Sequence, residues 1–467
     1  MPGPPLSDPI DPNLIGGETR RILGLAWPVM LTSLNWTILH VTDVVVVGLV
    51  GTEEVAALGA SRSLTFVAIV AGLAALSGVL VHASRADGAG DLKRTGAVLR
   101  EGLLLALVLG SAAGLALLLF AAPMLTGIGV ADELVPRSAR VVQVMALCFP
   151  FQLIIVAVSF FLEGVSRPRR VTTVNLAILP LNAVLAWALS GGHLGMPALG
   201  AVGAAAATAI ASAIGAFGMI GAAWTLPRAT LRGVHDLSLA AWRSVPAGAA
   251  RLAAFGVVPA IASGLELAGF SILIALSTRL GDASAHAFQI VFAIHNVTFS
   301  VALGLGSAAG VRVGNAVGEG VPQQGFPRTM IAASVAALLT GLLALLLMIG
   351  AAGIVGLFPA TGDVHLLALA MVPLWAPFIL FDGVQVVFVY ALRSLGDQVV
   401  AGVNSIVAFF LVTGGAGWWL IHIGWGLTGL VYASGIGMVA ATLLHGSRFL
   451  LVSSRFHRKS SAPTASS

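Results

Sequence analysis

Long apolar runs dominate this chain of 467 residues and constrain it more than any other feature. A helix crosses the hydrocarbon core of a bilayer with about 20 predominantly apolar residues. Twelve stretches meet that length, near 22–48, 56–81, 97–122, 138–163, 171–190, 199–225, 246–278, 284–310, 329–357, 364–392, 398–421 and 426–451. Only 9% of the residues are charged and 58% are apolar, against roughly 25% charged in an average soluble domain. An ordinary soluble fold and a disordered chain are both excluded. The expected class is an all-α membrane protein of twelve transmembrane helices. Its single cysteine, Cys148, offers neither an intramolecular disulfide nor a thiolate metal cluster.

Charge placement sets the orientation. An even number of spans puts both ends of the chain on one side. On that side lie 20 basic residues, including Arg85, Arg169, Arg232, Arg312 and Arg393. The other side carries four: Arg62, Arg137, Arg140 and Arg279. Positive residues collect on the cytoplasmic face, so both termini are expected there. The formal charge of +5 is then a matter of topology and implies no nucleic-acid partner.

The two halves align at an offset of about 230 residues. Pro28 pairs with Pro259, Asn175 with Asn404, and Gly200-Ala201-Val202-Gly203 with Gly426-Leu427-Thr428-Gly429. Six spans per half keep the repeats in the same orientation. Two six-helix bundles related by pseudo-twofold symmetry along the membrane normal are expected, with a substrate site near the midplane where they meet. The expected division is a flexible tail at 1–21, a bundle at 22–226, a cytoplasmic linker at 227–245, a second bundle at 246–452 and a flexible tail at 453–467.

Three carboxylates lie deep inside apolar runs: Asp43, Glu266 and Asp382. An ionisable side chain at a helix centre carries a penalty of roughly 2.5–3.5 kcal/mol on insertion scales, so each needs a reason to be there. Asp43 follows His40 by three residues and shares its helix face, and Gln385 stands one turn after Asp382. A buried acid that alternates between protonated, Na⁺-bound and free states is the physical means of coupling an ion gradient to a change of shape. Phe270, Phe292, Phe378 and Phe381 are candidate lining residues by location, with core packing the competing role. His286 and His295 read as packing or cavity-lining groups. The chain has no GxxxxGK[ST] loop, no HExxH and no GxSxG. ATP-driven transport by this chain, a zinc site and a serine hydrolase are therefore not expected, and neither is a cofactor.

AWPVMLTSLNWTILHVTDVVVVGLVGTEEVAALG resembles the first helix and loop of the multidrug and toxic compound extrusion (MATE) transporters. FLEGVSRPRR, LGAVGAAAATAIAS, GVRVGNAVGEG and FDGVQVVFVYALRSLGD are similar to later signatures of that family, in order, from about Arg20 to Arg448. The nearest branch is the bacterial NorM type. The resemblance implies a non-enzymatic antiporter exporting small cationic, amphipathic molecules in exchange for H⁺ or Na⁺, by alternating access. It would be a monomer in the bacterial inner membrane, without an ATPase subunit. It also implies an ion or drug role for Asp43 in the first half and for Glu266 and Asp382 in the second, with Na⁺ a candidate ligand of the last two. His40, Asn182, Gln289 and Gln385 are supporting candidates; Asn182 and Gln289 match a family asparagine on helix five and a glutamine on helix eight. Ile178 stands where the family carries an earlier helix-five asparagine, and Arg393-Ser394-Leu395-Gly396-Asp397 departs from the usual pattern. A lipid-linked oligosaccharide flippase of the same superfold is the alternative. It would line its cavity with cations, whereas the charges deep inside these spans are the acids and the Arg residues cluster at helix ends.

Overall fold

The computed structural model describes residues 12–461. The expected tails fall partly outside the described residues, at 1–11 and 462–467. All regular structure among the described residues is helical. In chain order the α-helices are α1 (Pro12–Gly48), α2 (Thr52–Ala75), α3 (Ser77–Gly88), α4 (Leu92–Gly127), α5 (Val135–Ala146), α6 (Phe149–Gly164), α7 (Pro168–Gly191), α8 (Ala201–Trp224) and α9 (Leu239–Arg243). They continue with α10 (Val245–Thr278), α11 (Asp282–Gly318), α12 (Gly325–Val355), α13 (Gly362–Trp375), α14 (Phe378–Leu395), α15 (Gln398–Ser405), α16 (Gly414–His422) and α17 (Gly426–Ser461). Eleven continuous stretches are long and apolar enough to cross a membrane, and the bent pair α5 and α6 makes twelve.

Three departures from straight spans have local causes. The fourth span bends by 47° between α5 and α6, because Pro150 has no N–H to give and its ring crowds the carbonyl four residues back. The tenth span divides into α13 and α14 at Ala376-Pro377, where Pro373 and Pro377 act in the same way. In the eleventh, Ile406–Thr413 is wound as a π-helix. The Thr413 hydroxyl donates there to the carbonyl of Ala408, five residues back, at 3.1 Å.

The helices form two compact units. The carboxy-terminal unit holds the described residues through Met30, Asp87–Gly90 and Leu265 onward; the amino-terminal unit holds Leu31–Ala86 and Asp91–Gly264. Both units therefore take part of α1 and part of α10, a division that differs from the contiguous halves expected from sequence. In the carboxy-terminal unit, Arg312 of α11 grips Glu18 with two bonds of 2.6 and 2.8 Å. A Cβ on Gly304 would meet the carbonyl oxygen of Ala26 at 2.8 Å, so α1 and α11 pack backbone to backbone. That anchorage explains why residues 12–21, expected as tail, are helix. At the other end of the chain α17 likewise continues past 452 to Ser461. In the amino-terminal unit Gly256 of α10 lies against the backbone of Ala75, and the segment before α10 is held to α4 by Arg100 donating to the Gly233 carbonyl at 2.6 Å.

Candidate functional site

Within the carboxy-terminal unit, Asp382 sits on the first turns of α14 and is 3% exposed. Both of its oxygens are engaged. His295 Nε2, from α11, lies 3.0 Å from Oδ2, and Gln385 donates its amide to Oδ1 at 3.1 Å. Gln385 reaches because residues three apart share a helix face. The α11 side of the pair depends on small residues lower on that helix. Gly306 lies against Val386 and Tyr390, and Gly310 against Tyr390 and Ser394, so α11 and α14 approach closely.

An aromatic shell closes around the imidazole. Trp375 meets it edge-on with centroids 5.4 Å apart, while Phe270, Phe299 and Phe292 stand at 5.6, 5.7 and 5.9 Å. Phe270 also packs on Phe409 of the π-helical turn. A carboxylate in such surroundings interacts far more strongly with a cation than it would in water. Glu266 of α10, half-buried in the same unit, makes no hydrogen bond or ion pair among the described residues. The unit thus offers one acid already engaged on both oxygens by His295 and Gln385 and one with no hydrogen bond among the described residues. A proton or metal ion arriving at Asp382 would meet a carboxylate that already carries one contact on each oxygen.

The amino-terminal unit builds a different acid. Asp43 of α1 is 7% exposed and receives the Asn182 amide, from α7, on Oδ1 at 3.1 Å. Its Oδ2 faces Arg62 Nη2 of α2 at 3.3 Å, and the same nitrogen donates to the His40 carbonyl at 3.0 Å. Thr208 of α8 reaches the Asn182 oxygen at 3.5 Å. Beside this group Asn35 donates to the carbonyl of Asn175 at 3.1 Å.

The structure thus joins Asp43 to Asn182, and Asp382 to Gln385. It leaves the His40 ring off Asp43, edge-on to Phe66 at 6.5 Å. Gln289 is exposed on α11 and makes no hydrogen bond among the described residues, so it does not join the Asp382 group. Sequence reasoning missed the pairing of Arg62 and of His295. In sequence Arg62 reads as a matter of membrane orientation, whereas it lies well inside α2 and within reach of Asp43. For His295, helical phase carried a signal: Phe288, Phe292, His295 and Phe299 recur at three- and four-residue spacing and so share one face of α11.

The MatE family model matches residues 28–188 and 259–416. The probable multidrug resistance protein NorM of Burkholderia pseudomallei is 31% identical over 94% of this chain and 92% of its own length. Its counterpart in Caulobacter vibrioides is 32% identical over 88% of this chain and 87% of its own. Among solved structures, a multidrug resistance MATE family transporter of the MOP superfamily in an outward-facing conformation superposes with a TM-score of 0.84 at 18% identity, covering 94% of this chain and 97% of the other. A MOP superfamily transporter from Pyrococcus furiosus gives 0.83 at 19% identity over 94% and 97%.

Proposed function

Because the chain belongs to the MatE family, we propose that it is a secondary antiporter that exports cationic, amphipathic organic molecules in exchange for H⁺ or Na⁺ by alternating access. The observation that carries this reading is the buried Asp382, held by His295 and Gln385 within an aromatic shell, with Glu266, which makes no hydrogen bond among the described residues, in the same unit. Carboxylates match the charge of a lipophilic cation and the rings of Phe270, Phe292 and Trp375 accommodate its body. The same carboxylates take the coupling ion. Two cations competing for one set of acids is the simplest chemistry of exchange. The names of the NorM relatives support a multidrug cargo.

Ions driven inward by the membrane potential supply the work, about 2.3 kcal/mol per elementary charge per 100 mV. Ion binding favours the state that has released the cargo and cargo binding the state that has released the ion; such coupling is reciprocal. No cofactor and no ATPase subunit enters this scheme. The protein would act as a monomer in the bacterial inner membrane with both termini in the cytoplasm.

The test is efflux of a fluorescent lipophilic cation from sealed proteoliposomes under an imposed Na⁺ gradient or an imposed pH gradient. Stimulation by one gradient supports the antiporter and names its ion. Efflux indifferent to both gradients contradicts it.

A further inference from the structure

We propose that Arg62 is the resident cation of the Asp43 site, a tethered guanidinium that occupies the carboxylate until a cationic ligand displaces it into the adjoining cavity. The inference rests on the reading of the chain as a cation exporter and adds to it a residue that sets which cations the amino-terminal unit admits.

The geometry of the pair is that of a replaceable contact. Arg312 holds Glu18 with two bonds of 2.6 and 2.8 Å, and Arg448 holds Asp397 with two of 2.6 and 2.9 Å. Those forks are the strong form of the interaction. Arg62 touches Asp43 through one nitrogen only, at 3.3 Å, and shares that nitrogen with the His40 carbonyl. Its Nε is buried without a hydrogen-bond partner. Asp43 is meanwhile fixed from its other oxygen by Asn182. The carboxylate stays in place if the guanidinium leaves.

There is also somewhere for the guanidinium to go. A cavity of about 120 Å³ adjoins Arg62 and is lined by Trp36, His40, Phe66, Phe149 and Gln152. Aromatic faces attract a guanidinium, and the Gln152 side-chain oxygen is an acceptor. The volume is well above the roughly 10–15 Å³ that a single water requires. On displacement the incoming cation neutralises Asp43, and the charge of Arg62 is left to the ring faces and the Gln152 oxygen, a penalty that the ligand's binding must exceed. An empty Asp43 without Arg62 would be an uncompensated buried charge, which is strongly unfavourable. The resident arginine therefore solves the problem of the unloaded state, and any ligand must outcompete it.

The experiment is binding of tetraphenylphosphonium, a permanent lipophilic cation, to the purified full-length protein. Arg62→Gln should tighten binding by about tenfold, the scale of one charge-assisted contact. The gain should vanish when Arg62→Gln is combined with Asp43→Asn. Arg62→Lys, which lacks the planar fork but keeps the charge, should give a smaller gain of about threefold and serves if the glutamine variant does not fold. Unchanged or weaker binding in a folded Arg62 variant overturns the proposal, as does a gain that persists without Asp43. If wild-type vesicles show no ion-coupled efflux and the Asp43-dependent gain is present, the antiport reading fails and the assignment of Arg62 stands. If efflux is coupled and the gain is absent, the reverse holds.

Discussion

His295 and Asp382 are separated by 87 residues in sequence and meet at 3.0 Å, with Gln385 on the opposite oxygen of the carboxylate. The two ends of that contact come from α11 and α14, and four aromatic rings stand within 5.9 Å of the imidazole centroid.

Asp382→Asn keeps the shape of the side chain and a hydrogen-bonding group for His295, and removes the charge. Coupled efflux should fall to background while the purified protein keeps its thermal transition within a few degrees. Normal ion-coupled transport by a folded Asp382→Asn protein would show that the coupling acid lies elsewhere.

His295→Phe suits the aromatic shell by volume and leaves Asp382 Oδ2 without its partner. Orphaning a buried acceptor costs about 1–3 kcal/mol, so the melting temperature should drop and gradient-driven efflux should decline by at least tenfold. His295→Gln, which still donates, should recover much of the stability. Equal losses in both variants would mean that the imidazole serves by its shape rather than by its bond to Asp382.

Gly383 follows the acid directly and faces α12. A Cβ there would stand 2.6 Å from Thr340 Cγ2 and 2.7 Å from Thr340 Oγ1. Threonine is stiff at χ1, and its hydroxyl is committed to the Ala336 carbonyl at 2.7 Å. Gly383→Ala should therefore destabilise the protein by about 1–3 kcal/mol through overpacking, read as a lower melting temperature. Gly341→Ala on α12 meets only Leu380 Cδ1 at 3.5 Å and should be close to neutral.

Glu18→Gln removes the carboxylate that Arg312 grips at 2.6 and 2.8 Å, with both side chains only 11–12% exposed. Stranding a buried guanidinium costs about 3–5 kcal/mol. The variant should melt earlier, and limited proteolysis should cut first near the start of α1. A wild-type melting curve and cleavage pattern would mean that the pair contributes nothing to holding α1 in its unit.

Much of this architecture was legible in the sequence because lipid imposes a length and a polarity on each span. The three acids inside apolar runs stood out for the same reason, and spacing of three residues was enough to place Gln385 beside Asp382. Long-range pairings were not legible. His295 reaches Asp382 only through the crossing of α11 and α14, and Arg62 reaches Asp43 only through the packing of α2 on α1. The His40 ring shows the limit of local spacing: it shares a helix face with Asp43, yet its ring turns to Phe66. Pro150 and Pro377 were visible as residues, but apolar content alone does not tell a straight span from one divided by proline. The attachment of residues 12–30 to the carboxy-terminal unit depends on Glu18 finding Arg312, and hydropathy carries no trace of that.

Exchange is tested most directly by running it backwards. Proteoliposomes without any ion gradient or membrane potential should be given a gradient of the lipophilic cation alone, with internal pH and Na⁺ followed by fluorescent indicators. Movement of H⁺ or Na⁺ against the flow of the cation, present in wild-type protein and absent in Asp382→Asn, is the predicted result. Cation flux of the same size with neither ion moving would contradict antiport through the buried acids.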